Sequence, residues 1–282
     1  EHRYFAPGTQ PNLFTLDLNQ LESKIQNPLA KRRVALSKIQ IGVTICEDLW
    51  NDEEFWGKRS YAINPIADLA QLDVDLIVNL SASPYTVGKQ KLREAMLQHA
   101  AIRYQRPIIY VNQVGGNDDL IFDGNSVAFN RVGEVISRAH NFETDLVILE
   151  FDRETKDLKL PLNKGGLGGI NPLPESEDEE IWKALVLGVR DYVRKCGFSK
   201  IVLGLSGGID SALVAAIASA AIGKENVLGV LMPSPYSSDH SVKDALKLAE
   251  NLGIQTQILP IGDLMKVYDQ TLETLFAGTQ FG

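Results

Sequence analysis

Cysteine is scarce: Cys46 and Cys196 are the only two in 282 residues. That excludes a disulfide framework and fits a reducing, cytoplasmic setting. No apolar run approaches the ~20 nearly uncharged residues that a bilayer span needs, so no membrane partner is expected. The longest, around residues 212–222, is alanine-rich and reads as a buried helix. Basic residues are in deficit, 28 Lys and Arg against 36 Asp and Glu, for a net charge of −8. A nucleic-acid partner is therefore not expected, because such proteins gather cations to neutralise phosphates. A methionine start and a signal peptide are also missing, and the chain stops at Gly282 inside a domain pattern. Both true ends are expected elsewhere. What remains is ordinary globular composition, 44% hydrophobic and 23% charged, enough for two modest cores.

Val- and Ile-rich runs at 39–45, 76–80, 108–111, 126–130 and 146–151 read as strands. Between the second and third, Leu92, Met96 and Ala100 mark one face of a helix over 89–104. This predicts a layered α/β domain with a mixed sheet over residues 1–151. Residues 152–180 hold Gly165, Gly166, Gly168 and Gly169, then Pro172 and Pro174, then the acidic run 175–180. Such a segment has little to bury and reads as a linker. The acidic run suits the N-terminus of a helix over 181–195, and equally a solvated loop. From there strands at 201–205, 227–231 and 255–259 alternate with helices at 210–222 and 241–252. That alternation predicts a second domain, 181–282, with a parallel sheet.

Residues 206–211, Ser-Gly-Gly-Ile-Asp-Ser, fall between a strand and a helix, where unpaired helix N–H groups make an anion site. Gly207 and Gly208 allow close approach of a phosphate, and the hydroxyls of Ser206 and Ser211 can donate to it. Asp210 would repel a polyphosphate unless a divalent cation lay between them, so it reads as a Mg²⁺ contact. Neither the Walker lysine nor GxGxxG is present, which favours adenylation, with pyrophosphate as leaving group, over γ-phosphoryl transfer.

Cys46 lies where a strand ends and an acidic turn begins, in Ile-Cys-Glu-Asp-Leu-Trp. Alone, it fits a small buried hydrophobe better than a nucleophile. Glu47 and Asp48 fit caps or substrate-orienting groups, and Lys89 fits a solvated helix start as well as a ligand.

Ser-Gly-Gly-x-Asp-Ser after a strand resembles the N-type ATP pyrophosphatases. The stretch Met232-Pro233-Ser234-Pro235, with 249–254 downstream, is similar to their NAD synthetase branch, although a proline-rich turn explains the prolines equally well. The resemblance implies an ATP site at Gly204, Leu205, Ser206, Gly207, Gly208, Ile209, Asp210 and Ser211. It places Leu231 and Met232 near the adenine.

Ile-Cys-Glu-Asp-Leu-Trp resembles the nucleophile elbow of the nitrilase superfamily, which cleaves C–N bonds through a cysteine thioester. Further matches are residues 1–5, 79–84 with Gly88-Lys89, 112–116 and 122–124. This resemblance implies Cys46 as nucleophile, with Ser83, Lys89, Glu1 and Glu47 contacting glutamine. It puts the general base and the catalytic lysine upstream of Glu1.

The fusion resembles the glutamine-dependent NAD synthetase family. The fold expected from it is α/β: the C-terminal part of a nitrilase-like αββα sandwich, then the first part of a Rossmann-like parallel sheet of the adenine nucleotide α-hydrolase type. It implies ATP, Mg²⁺, glutamine and deamido-NAD as small-molecule partners, and a homo-oligomer. Two rival readings are a C–N hydrolase with a regulatory ATP module and a non-catalytic binding fragment.

Overall fold

The computed structural model describes residues 11–17, 38–58, 62–159 and 169–278. Glu1, the motif at 1–5 and Gly165, Gly166 and Gly168 lie outside the described residues. The described residues form two compact units, one running to Gly115 and including Leu120–Ala184, the other comprising Gly116–Asp119 and the chain from Leu185.

The chain forms β1 (Asn12–Asp17), β2 (Lys38–Ile45), α1 (Glu53–Trp56), α2 (Pro65–Gln71), β3 (Leu76–Ser81) and α3 (Lys89–Tyr104). Next come β4 (Ile108–Asn112), β5 (Val114–Asn117), β6 (Leu120–Asp123), β7 (Val127–Phe129), β8 (Val135–Arg138), β9 (Glu150–Asp152) and β10 (Asp157–Lys159). One mixed sheet runs β1-β2-β3-β4-β7-β8. Its centre, β2-β3-β4, is parallel, while β1, β7 and β8 join antiparallel. Parallel neighbours need a crossover. Helix α3 supplies it between β3 and β4, burying Leu97 and Ala101 completely in the same core as Ile77 and Ile108.

Helix α2 starts where Asn64 stops the extended chain. Its side-chain oxygen accepts from the N–H groups of Ile66 and Ala67, both at 3.2 Å, and Pro65 is already set for the first turn. The helix lies so close to β2 that a Cβ at Gly42 would come within 2.9 Å of the fully buried Leu69.

The expected strand over 146–151 survives only as β9. Leu146 and Ile148 are exposed, and only residues 150–152 find a partner, in β10. That partner corrects the linker expectation: Leu158 is buried against Leu76, Ala128 and Ile136, and Lys156 pairs with Asp75 at 2.7 Å. The short strands β1, β5, β6 and β8 carry no clear signal in the sequence, because four to six residues hold too little periodicity.

The later elements are α4 (Glu177–Lys195), β11 (Ile201–Gly204), α5 (Ile209–Ile222), β12 (Val227–Leu231), α6 (Asp239–Leu252), β13 (Gln255–Ile258) and α7 (Gly262–Leu272). Residues 177–180 of the acidic run form the first turn of α4, where the Ser176 hydroxyl just before the helix accepts from the Glu179 N–H at 3.1 Å. In the second unit β11-β12-β13 form a parallel sheet, with Ile201 opposite Val227 and Leu228 opposite Gln255. Ala215 and Ala218 of α5 and Ala245 and Ala249 of α6 are buried with Leu205 and Leu231, so small side chains let both helices settle close to the sheet.

The Gly42 contact sets a stability test. Gly42→Ala is expected to cost about 1–3 kcal/mol, because the fully buried Leu69 side chain must shift to admit the methyl group. The readout is the midpoint of urea unfolding, and an unchanged midpoint would show that α2 can shift.

Candidate active site

Strand β2 ends at Ile45, and the next five residues, Cys46–Trp50, wind into a 3₁₀ turn. The reversal puts Cys46 at φ +47°, a left-handed conformation that a residue with a Cβ adopts only under constraint. Two groups hold it. The Asp48 carboxylate accepts from the Ile45 N–H at 2.8 Å. The Asn79 side-chain amide, fully buried on β3, donates to the Thr44 hydroxyl at 2.9 Å and to the Cys46 carbonyl at 3.4 Å. Cys46 is half-buried with a free thiol, and Glu47 beside it is exposed.

The next strand delivers the second part of the site. After β3, residues 82–88 turn into α3 through Gly88, at φ +74°. Ser83 is buried, its N–H donating to Asn112 Oδ1 at 2.9 Å. Lys89 folds back: its ammonium donates to the Pro84 carbonyl at 2.9 Å and lies 5.6 Å from the centre of the Trp50 ring. Burial pushes its pKa below the usual lysine value, as does Arg93, while Asp123, Cys46 and Glu47 pull the other way. The contact of the Lys89 ammonium with Trp50, the last residue of the Cys46–Trp50 turn, brings the cysteine turn and the lysine turn together. Glu1 lies outside the described residues.

Beneath them Arg93 and Asp123 form a buried pair. Burial works against the Arg93 charge, and the Asp123 carboxylate more than offsets it, so the guanidinium pKa lies above its ordinary value. No local signal in the sequence marks this pair, since its members stand thirty residues apart. A cavity of about 340 Å³ in the same unit is lined by Asn112, Ser126, Ser137 and His140 among others, but not by Cys46, Ser83 or Lys89.

In the second unit residues 205–208 form the turn that leads from the end of β11 into the first residues of α5. Gly207 takes φ +84°, and a Cβ there would fall 2.2 Å from the Ser241 carbonyl oxygen of α6. The Ser206 hydroxyl accepts from the Gly208 N–H at 3.2 Å and bonds with the Ser211 hydroxyl at 3.0 Å. The Ser211 hydroxyl donates to the Gly208 carbonyl at 2.9 Å. Both hydroxyls thus brace the loop. Ile209 and Asp210 are exposed at the start of α5, with Gly208 as its N-cap. Leu205 donates to the Val230 carbonyl at 2.9 Å, which sets Leu231 and Met232 on the neighbouring strand end. Leu231 is buried, and Met232 is half exposed beside Gly204.

Among the described residues no group of three or more His, Cys, Asp or Glu could hold a metal by itself. No helix there is long and apolar enough to cross a membrane.

Residues 12–158 match the carbon-nitrogen hydrolase family, and residues 181–280 match NAD synthase. The chain is 59% identical over 246 residues to the glutamine-dependent NAD(+) synthetase of Synechocystis sp., an alignment covering 86% of this chain and 42% of that protein. It is 42% identical to the enzyme of the same name from Thermotoga maritima, covering 99% and 48%. The structure of glutamine-dependent NAD+ synthetase from Acinetobacter baumannii in complex with ADP superposes with a TM-score of 0.80 at 38% identity, covering 100% of this chain and 46% of that one. The chain thus spans less than half the length of these relatives.

The depressed lysine yields a titration test. At pH values between the folded value and 10.5, the unfolded chain holds the Lys89 proton more tightly. The stability cost of its buried charge is therefore full below the folded pKa and vanishes above the unfolded one. An NMR titration of the Lys89 side chain is expected to show a midpoint below that of an exposed lysine. A midpoint at or above that value would mean that Lys89 is solvated.

Proposed function

Because the chain belongs to the carbon-nitrogen hydrolase family over residues 12–158, we propose that its first unit is part of the glutaminase of a glutamine-dependent NAD synthetase. Residues 181–282 are then the beginning of the ATP-consuming synthetase, and the part of the 152–180 stretch that follows β10 joins the two. The observation that carries this reading is the cysteine held at φ +47° at a strand end, with the Lys89 ammonium over the Trp50 ring of the same turn.

The Cys46 sulfur attacks the side-chain amide carbon of glutamine. The C–N bond breaks, ammonia leaves, and a thioester remains that water hydrolyses to glutamate, returning the thiol. A base must take and give back the thiol proton, and a cation must meet the oxyanion. By family resemblance both lie upstream of Glu1. Ser83 and Lys89 receive the α-amino and α-carboxylate groups of glutamine, with Glu1 and Glu47 completing the contacts.

In the second unit, the loop 204–211 binds the phosphates of ATP, and Leu231 and Met232 border the adenine. The N–H groups at the start of α5 face outward where anions bind well, and Gly207 and Gly208 leave room for the phosphates. Mg²⁺ fits this site: the exposed Asp210 carboxylate would help to hold it beside the substrate phosphates. When bound, it neutralises phosphate charge during departure of pyrophosphate. Deamido-NAD is the acceptor, activated as an AMP ester that ammonia attacks to give NAD. The protein is cytoplasmic and acts as a homo-oligomer.

In the complete gene product, Cys46→Ala is expected to lower glutamine-driven NAD formation by about 10³-fold or more. Synthesis from added ammonium should persist, followed as AMP release with deamido-NAD. Equal loss with both nitrogen donors would place Cys46 outside the glutaminase. An absence of AMP from the unaltered protein would favour a hydrolase with a regulatory nucleotide module. Gly207→Ala should do the reverse, abolishing ATP-dependent synthesis while glutamine hydrolysis continues, because the new Cβ collides with the backbone of α6.

A further inference from the structure

Arg93 and Asp123 take no part in the chemistry above, yet they are among the most buried charges of the first unit, 0% and 1% exposed at the side chain. Their contact is a fork: Nη1 to Oδ2 at 2.7 Å and Nη2 to Oδ1 at 2.8 Å. As a stabiliser such a pair is weak, since removing two charges from water offsets most of their attraction. Apolar side chains of similar volume often hold a fold as well. What distinguishes this pair is its outer ring of partners.

Arg93 Nη2 reaches the Ser83 carbonyl at 3.3 Å. Asn112 accepts from the Ser83 N–H at 2.9 Å and donates to Asp123 Oδ1 at 3.3 Å. Both main-chain polar groups of Ser83 are therefore held, and each holder is tied to Asp123. Gln90 and Asn125 close the ring, Gln90 accepting from Arg93 at 3.0 Å, Asn125 donating to Asp123 at 2.8 Å, and the Gln90 amide donating to the Asn125 carbonyl at 3.2 Å. The residue after Ser83 supplies the carbonyl on which Lys89 rests.

We propose that Arg93 and Asp123 are positioning residues of the amino-acid subsite: their fork fixes the Ser83 main chain, and through it the spacing of Ser83 and Lys89 that receives the zwitterionic end of the substrate. This rests on the glutaminase reading of the first unit. The pair touches no substrate and acts only through the turn above it.

The test uses the complete gene product with glutamine as probe and the double variant Arg93→Met with Asp123→Leu, which keeps volume and removes both charges. The thermal midpoint is expected to hold within a few degrees, while KM for glutamine rises about tenfold or more and kcat falls less than threefold. Adding these changes to Ser83→Ala should raise KM no further than about twofold over Ser83→Ala alone, because both act on one contact. An unchanged KM in a folded double variant, or fully additive effects, overturns the proposal. If the double variant does not fold, Arg93→Lys keeps the charge opposite Asp123 but cannot fork to the Ser83 carbonyl. A rise in KM of about threefold with an unaltered thermal midpoint supports the proposal, and no rise rejects it. Glutamine hydrolysis by the unaltered protein is measured first: its absence sinks the glutaminase reading and this proposal with it. Its presence with an unmoved KM sinks the proposal alone.

Discussion

Parallel pairing of β2 with β3 and of β3 with β4 brings three strand ends to the same edge of one sheet. The register is tight: Ile45 lies opposite Leu80, Leu80 opposite Val111, and Ser81 opposite Asn112. The Cys46 turn after β2, the Ser83 turn after β3 and the Asn112 amide at the end of β4 are therefore gathered without any long-range search by flexible loops. In open α/β sheets ligands collect at the carboxyl ends of strands for this reason. A one-residue slip would turn Asn79 away from Thr44 and Cys46, and the brace across the site would be lost.

The same logic operates on a smaller scale in the second unit. Gly204 pairs with Val230, and Val230 with Gln257. The glycine-rich loop leaves the first of these strands, and Leu231 and Met232 end the second. The loop is stiffened by its own serines, whose hydroxyls hold each other and the backbone around Gly208. The first N–H groups of α5 are thereby set before a ligand arrives, which reduces the entropy lost on binding.

Much of this is legible in the residue order. The strands 76–80 and 227–231, the helices 89–104 and 210–222, the cysteine at a strand end and the serine-glycine loop all announce themselves through periodicity and punctuation, which are local signals. Long-range pairing leaves no such mark. Nothing near Arg93 indicates that a carboxylate thirty residues later will bury with it. Lys89 reads equally well as a free helix-start residue until its stem is seen folded onto Trp50. The segment around Leu158 reads as linker because Leu158 gains meaning only from Leu76 and Ile136, which lie far away in the chain. Leu146 and Ile148 mislead in the opposite direction, being strand-like in type but lacking a neighbour to pair with.

Cys46 occupies a backbone conformation that glycine or asparagine would hold at lower energy. A population of variants sorted only for resistance to heat would therefore drift away from cysteine at this position. Its presence in a left-handed turn reflects a demand other than durability. If Cys46 is the nucleophile of the proposed glutaminase, foldedness and reactivity pull against each other at one pair of dihedral angles.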